Sequence, residues 1–60
     1  MKFKFGDKVQ IVSDSQAFYK GSNGIVIEYH TKHGFGVYVI LLQPYNIKVT
    51  FAEDVLAPHG

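Results

Sequence analysis

Tyr19-Lys20-Gly21-Ser22-Asn23-Gly24-Ile25-Val26-Ile27-Glu28-Tyr29 is the stretch whose reading decides the fold. Gly21 and Gly24 supply the positive φ angles that a sharp reversal needs, and Asn23 is the next best residue for that task. Ile25-Val26-Ile27 is β-branched at every position and stiff at χ1, which suits a pleated strand. A glycine-punctuated turn feeding a strand, in so short a chain, predicts a small β-barrel.

Working outward, the chain before this stretch begins Lys2-Phe3-Lys4-Phe5, alternating with period two. It reads as an extended lead-in or as a short edge strand with its lysines exposed. Gly6-Asp7 is a turn. Lys8-Val9-Gln10-Ile11-Val12 alternates between polar and apolar and is the first true strand, with Val9 and Ile11 inward. Residues 13–23 form the longest loop, and Ser13, Asp14 and Ser15 favour side-chain to backbone turns there. Phe18-Tyr19 lies in mid-loop, either folded back over a barrel end or facing a ligand. Strand two runs from about Gly24 to His30.

Beyond it, Thr31-Lys32-His33-Gly34 is a hairpin turn with Gly34 or Gly36 at positive φ. Strand three, Val37-Tyr38-Val39-Ile40-Leu41-Leu42, is apolar on both faces. Gln43-Pro44-Tyr45-Asn46 is the next turn, because Pro44 cannot donate to a ladder. Strand four, Ile47-Lys48-Val49-Thr50-Phe51, places Ile47, Val49 and Phe51 inward. Ala52-Glu53-Asp54 is a tight 3₁₀ turn, and Val55-Leu56-Ala57 is a last short strand stopped by Pro58. No helix of useful length, repeat or linker is expected in residues 1–60, which read as one domain. Sixty residues are too few for a seven-stranded sandwich, so the reading settles on a barrel.

A chain of sixty residues buries only roughly 60% of the surface its unfolded form exposes. It has no cysteine to staple it, so its 47% hydrophobic residues, with five Phe and four Tyr, must pack densely. The start has no apolar signal region, and the longest apolar run, Val37 to Leu42, is far short of the ~20 residues of a membrane span. A soluble, cytoplasmic protein without membrane contact is expected. Six Lys, no Arg and a net charge of +1 do not match the basic clustering usual in nucleic-acid binders. Without Arg there is also no bidentate fork for guanine or phosphate.

Gly6-Asp7-Lys8-Val9-x-Ile11 followed by Lys20-Gly21-x-x-Gly24-x-Val26 resembles the KOW-type pattern of SH3-like barrels. Val49-x-Phe51-Ala52-Glu53-Asp54-x-Leu56 looks like the strand, 3₁₀ turn and final strand of the same superfold. Phe51-Ala52-Glu53-Asp54 is also similar to the C-terminal segment of the small photosystem I peripheral subunits, which are SH3-like barrels that help dock ferredoxin. The basic Arg-containing strands of those subunits are missing, so docking of ferredoxin is not implied. The fold implied is all-β: a five-stranded SH3-like barrel with a long first loop and a 3₁₀ turn before the last strand. The signature of peptide-binding SH3 domains is incomplete, with no Trp and only Asp14 acidic in the long loop.

Catalytic chemistry finds little in this chain. Ser13, Ser15 and Ser22 have no neighbouring His, and Glu53 and Asp54 diverge on adjacent turn positions, where opposed acid and base groups are needed. Gly34-Phe35-Gly36 stops after two glycines and enters a strand, so no phosphate-cradling loop is read there. His30, His33 and His59 lack the further ligands that a zinc site requires and read as surface histidines. No enzyme, cofactor or metal is expected.

The aromatics are stronger candidates. Phe3, Phe5 and Phe51 are assigned to the core. If Val37, Val39 and Leu41 point inward, Tyr38, Ile40 and Leu42 face out; on strand two one of the sets Ile25/Ile27/Tyr29 and Val26/Glu28/His30 faces out. Such an apolar face marks an interaction surface, unless the long loop and the N-terminal segment fold over it. The expected function is a non-catalytic protein-binding module, an accessory or regulatory subunit, with Phe18, Tyr19, Tyr38, Ile40 and Tyr45 as contacts and Lys20 at the rim. Self-association is open to it as well. The alternative implied by the KOW resemblance is RNA or single-stranded nucleic-acid binding in transcription or translation. Lys8, Lys20, Lys32 and Lys48 would then touch phosphates while Tyr19 or Phe35 stacks on a base.

Overall fold

The computed structural model describes residues 2–59. Five strands form one antiparallel sheet: β1 (Lys8–Ile11), β2 (Asn23–Lys32), β3 (Phe35–Gln43), β4 (Ile47–Ala52) and β5 (Leu56–Pro58). Their order in the sheet is β4-β3-β2-β1-β5, so the first strand lies between the second and the last. Short 3₁₀ turns occupy Asp14–Gln16 and Glu53–Val55, and no α-helix occurs among the described residues.

The two hairpin turns have definite causes. Between β2 and β3, Lys32 pairs with Phe35 across His33-Gly34, with φ of 51° and 81°. Positive φ at both central residues is what a two-residue type I′ hairpin requires. Of the two glycines considered for this role it is Gly34 that takes it. Between β3 and β4 the four residues 43–46 connect the pair Leu42 and Ile47, with Asn46 at φ 55° and its N–H donating to the Leu42 carbonyl.

That four-residue turn sets the phase of β3, and it is opposite to the expected one. Directly paired residues share a face of the sheet. Leu42 pairs with Ile47, Ile40 with Val49 and Tyr38 with Phe51. Tyr38, Ile40 and Leu42 are therefore inside and fully buried, while Val37, Val39 and Leu41 lie half-buried on the outer face. Within β4, Phe51 is buried and Val49 packs against the core, with Lys48 and Thr50 exposed as expected. Ile47 departs from expectation: it is exposed at the strand's first position.

β2 does not keep a single phase. Val26 pairs with Ile40 and Glu28 with Val39, leaving Ile27 as an extra residue in a β-bulge. Val26 is buried before the bulge and Tyr29 packs on the core after it. Neither of the two alternating sets therefore faces inward along the whole strand, because a bulge shifts the period by one.

Gly24 sits under Ile40 for a reason other than the expected one. Its φ is not positive; instead a Cβ there would stand 2.3 Å from Ile40 Cγ2 and 3.0 Å from the Leu41 carbonyl oxygen. Gly21 does take positive φ, 90°, at the neck of the long loop, where its N–H donates to the Ile11 carbonyl and Ile11 N–H donates to the Ser22 carbonyl.

The core comprises Phe3, Val9, Ile11, Val26, Tyr38, Ile40, Leu42, Phe51, Val55 and Leu56. The N-terminal lead-in forms no strand but crosses the core: Phe3 meets Tyr38 edge-on, centroids 5.5 Å apart. The backbone N–H groups of Lys2 and Phe3 donate to the Tyr38 hydroxyl at 2.8 and 3.0 Å. This satisfies the buried hydroxyl and lets a tyrosine occupy an inner position. Phe5, assigned to the core from sequence, is 77% exposed. The reversal before β1 is a turn from Lys4 to Asp7, closed by the Asp7 N–H donating to the Lys4 carbonyl. Phe5 and Gly6 stand at its centre rather than Gly6-Asp7, and the Phe5 ring is left outside.

Candidate interaction surface

The loop between β1 and β2 is folded tightly on itself. Ser13 caps the 3₁₀ turn by accepting from Ser15 N–H, and the Gln16 carbonyl accepts from both Tyr19 and Lys20 N–H. Lys20 Nζ pairs with Asp14 Oδ1 across the loop. The loop is tied to the last 3₁₀ turn by the Val12 N–H, which donates to the Val55 carbonyl. This compact frame sends its two aromatics in different directions. Tyr19 lands edge-on against Phe51, centroids 5.8 Å apart, and half-buries itself against the core. Phe18 stacks edge-on against Tyr19 at 4.8 Å and is 88% exposed.

Of the six residues expected to contact a partner, the structure thus divides the set. Phe18 and Tyr45 are exposed, Tyr45 to 63%. Tyr19 is held against Phe51, and Lys20 is engaged with Asp14. Tyr38 and Ile40 are fully buried and offer nothing to a partner; they are corrected from contact residues to core residues because β3 has the opposite phase. With them goes the apolar outer face as it was drawn. The face that β3 does turn outward carries Val37, Val39 and Leu41, each half-buried. One row across that face reads Lys8, Ile25, Leu41 and Lys48 from β1 to β4.

Phe35, 72% exposed, was expected only as a base-stacking residue. It borders a cleft lined by Phe35, Gly36, Ala52, Glu53 and Asp54. A Cβ at Gly36 would lie 2.7 Å from the Tyr29 hydroxyl and 3.2 Å from Glu53 Oε2, so only hydrogen fits beneath these two groups. Phe35 flanks the His-Gly turn, in the part of the β2–β3 hairpin that runs past β4, whose pairing with β3 ends at Val37 and Ala52.

A second cleft lies where the lead-in meets β5, lined by Lys2, Phe3, Gly6, Asp7, Lys8, Pro58 and His59. His59 N–H donates to the Lys8 carbonyl, joining two of its lining residues. The other two histidines are elsewhere: His30 Nε2 lies 3.4 Å from Glu28 Oε1, and His33 is in the hairpin turn. Among the described residues no three of His, Cys, Asp and Glu converge as metal ligands. The hydroxyls of Ser13 and Ser15 are hydrogen-bonded to each other at 2.7 Å.

Compared with known proteins, this chain matches no protein-family model, no curated protein and no solved structure.

Proposed function

We propose that this protein is a small non-catalytic interaction module that docks on a partner protein as an accessory or regulatory subunit. One observation carries the reading: Phe18, Phe35 and Tyr45 stand 88%, 72% and 63% exposed beside a core that is closed without them. The core is complete without these rings, and aromatics are the residues that most often supply binding energy when a partner desolvates them. Each is mounted on a tight turn or a braced loop, the arrangement by which a rigid scaffold presents binding residues. In the finer description the fold is an SH3-like barrel. Support comes from β5 lying against β1 after a 3₁₀ turn, and from the bulge at Ile27, which bends β2 as closure requires. A cytoplasmic setting suits this role, and no described helix is long and apolar enough to cross a membrane.

The test is capture from the native host with the wild-type chain and with a Phe18→Ser/Phe35→Ser/Tyr45→Ser variant. The variant should unfold at nearly the wild-type temperature and lose the protein that the wild type retains. Equal capture by both would overturn the reading.

A second reading, nucleic-acid binding, is favoured by the N-terminal cleft. Lys2 and Lys8 line it together with Asp7 and His59, and Lys4 and the 77% exposed Phe5 are close in the chain. Phosphates on the lysines and a base on Phe5 would fit that layout. Lys20 lies outside this cleft and pairs with Asp14 in the free chain. Binding of single-stranded RNA or DNA that weakens steeply with salt supports it, and no binding at low salt removes it.

A further inference from the structure

The sheet has two edges, and they differ. β5 is three residues long and contains Pro58, a combination that blunts an edge against further pairing. β4 is six residues long, has no proline, and is hydrogen-bonded to β3 on one side only. Among the described residues no other backbone or side-chain hydrogen bond reaches residues 47–52. Half of its N–H and C=O groups therefore point along an open edge that another extended strand can satisfy.

We propose that the occupant is a second copy of this chain, its β4 antiparallel to the first and centred on Thr50. Inner and outer residues must stay on their own faces, so a two-fold axis perpendicular to the sheet passes through a residue, not between two. Centred on Lys48, the pairing would set two lysines against each other. Centred on Val49, it would place Lys48 opposite Thr50, away from any acid. Centred on Thr50, it sets Thr50 against Thr50, a favourable cross-strand pair, and Val49 against Phe51. Lys48 then lies opposite Ala52 of the second copy, at the start of the turn that carries the exposed Asp54, so a cation approaches a carboxylate at each end. Lys48, Thr50, Ala52 and Asp54 are all exposed in the single chain and free to make these contacts. The result is a continuous ten-stranded sheet.

An edge of six residues buries less surface than a standard stable interface, so association should be weak and reversible. Sedimentation equilibrium up to about millimolar concentration should show a monomer–dimer equilibrium that weakens with salt. Thr50→Lys, which places two lysines on the axis, should abolish it. Lys48→Glu and Asp54→Lys should each weaken it by about tenfold or more, and the two together should restore it. Thermal unfolding of each variant confirms that the monomer is intact, as expected for exposed positions. A chain that stays monomeric at every concentration overturns the proposal and leaves the β4 edge to an extended segment of another protein. So does a dimer indifferent to Thr50→Lys, or a charge swap that restores nothing.

Discussion

The inner face of the β3–β4 hairpin and the loop between β1 and β2 are built from the same kinds of residue and use them in opposite ways. Along the hairpin, six consecutive cross-strand pairs run without a shift, and both aromatics within those pairs, Tyr38 and Phe51, are buried. In the loop, backbone turns and one capping serine hold the chain, and the aromatic pair is divided between core and solvent. A ladder fixes side-chain direction residue by residue. A loop fixes only where its neck is pinned, and the outermost side chain is left for something else. The lead-in follows the second pattern, with Phe3 inside and Phe5 outside.

Damage to the ladder should therefore cost far more than damage to the loop. Phe51→Ala should be the most severe, losing on the order of 3–5 kcal/mol by chemical denaturation, a large part of the stability of so small a domain. Gly24→Val should follow, at about 1–3 kcal/mol or more, because the added methyls meet Ile40 Cγ2 and the Leu41 carbonyl. A loss under about 0.5 kcal/mol would mean that β2 and β3 are not packed as closely as described.

Tyr38→Phe sharpens the comparison by leaving the ladder intact and removing only an acceptor. The N–H groups of Lys2 and Phe3 lose their partner, at a cost of about 1–3 kcal/mol, and exchange of the Phe3 amide should quicken. Unchanged exchange would detach the lead-in from the core. On the loop, Gly21→Ala meets no steric obstacle but must hold a positive φ, which costs an L-residue roughly 1–2 kcal/mol. Smallest of all, Phe18→Ser should change stability by no more than about 0.5 kcal/mol. A larger loss would show Phe18 to be structural, and would remove the main support for a binding role.

The division between legible and illegible parts of the fold has physical causes. β1 and β4 were legible because polar and apolar residues alternate along them, and burial follows that alternation at Val9, Ile11, Val49 and Phe51. β3 offered no alternation, so its phase had to come from its neighbours. The information was present: with Phe51 inward and a four-residue turn at 43–46, Tyr38, Ile40 and Leu42 must share its face. Taken alone, a strand that is apolar on both faces carries no phase, which is why Tyr38 and Ile40 are expected on the surface from sequence and lie in the core. The bulge at Ile27 left no mark in a run of β-branched residues, since nothing in Ile25-Val26-Ile27 favours one position as the extra one. Of the candidate contacts, those in turns were found, because turns expose whatever they contain.

The position of β1 between β2 and β5 also bears on how the chain is made. Val9 and Ile11 pair with β5 at Pro58 and Leu56, across nearly the whole sequence. On a ribosome the first strand must wait for the last, and a nascent chain released only as far as Ala52 still presents one side of β1 unpaired. Such open sides invite misassembly, and contacts so distant in sequence slow the closing step. The sheet is therefore completed only after residues 56–58 have emerged, and protease challenge of stalled nascent chains should find those ending at Ala52 unprotected.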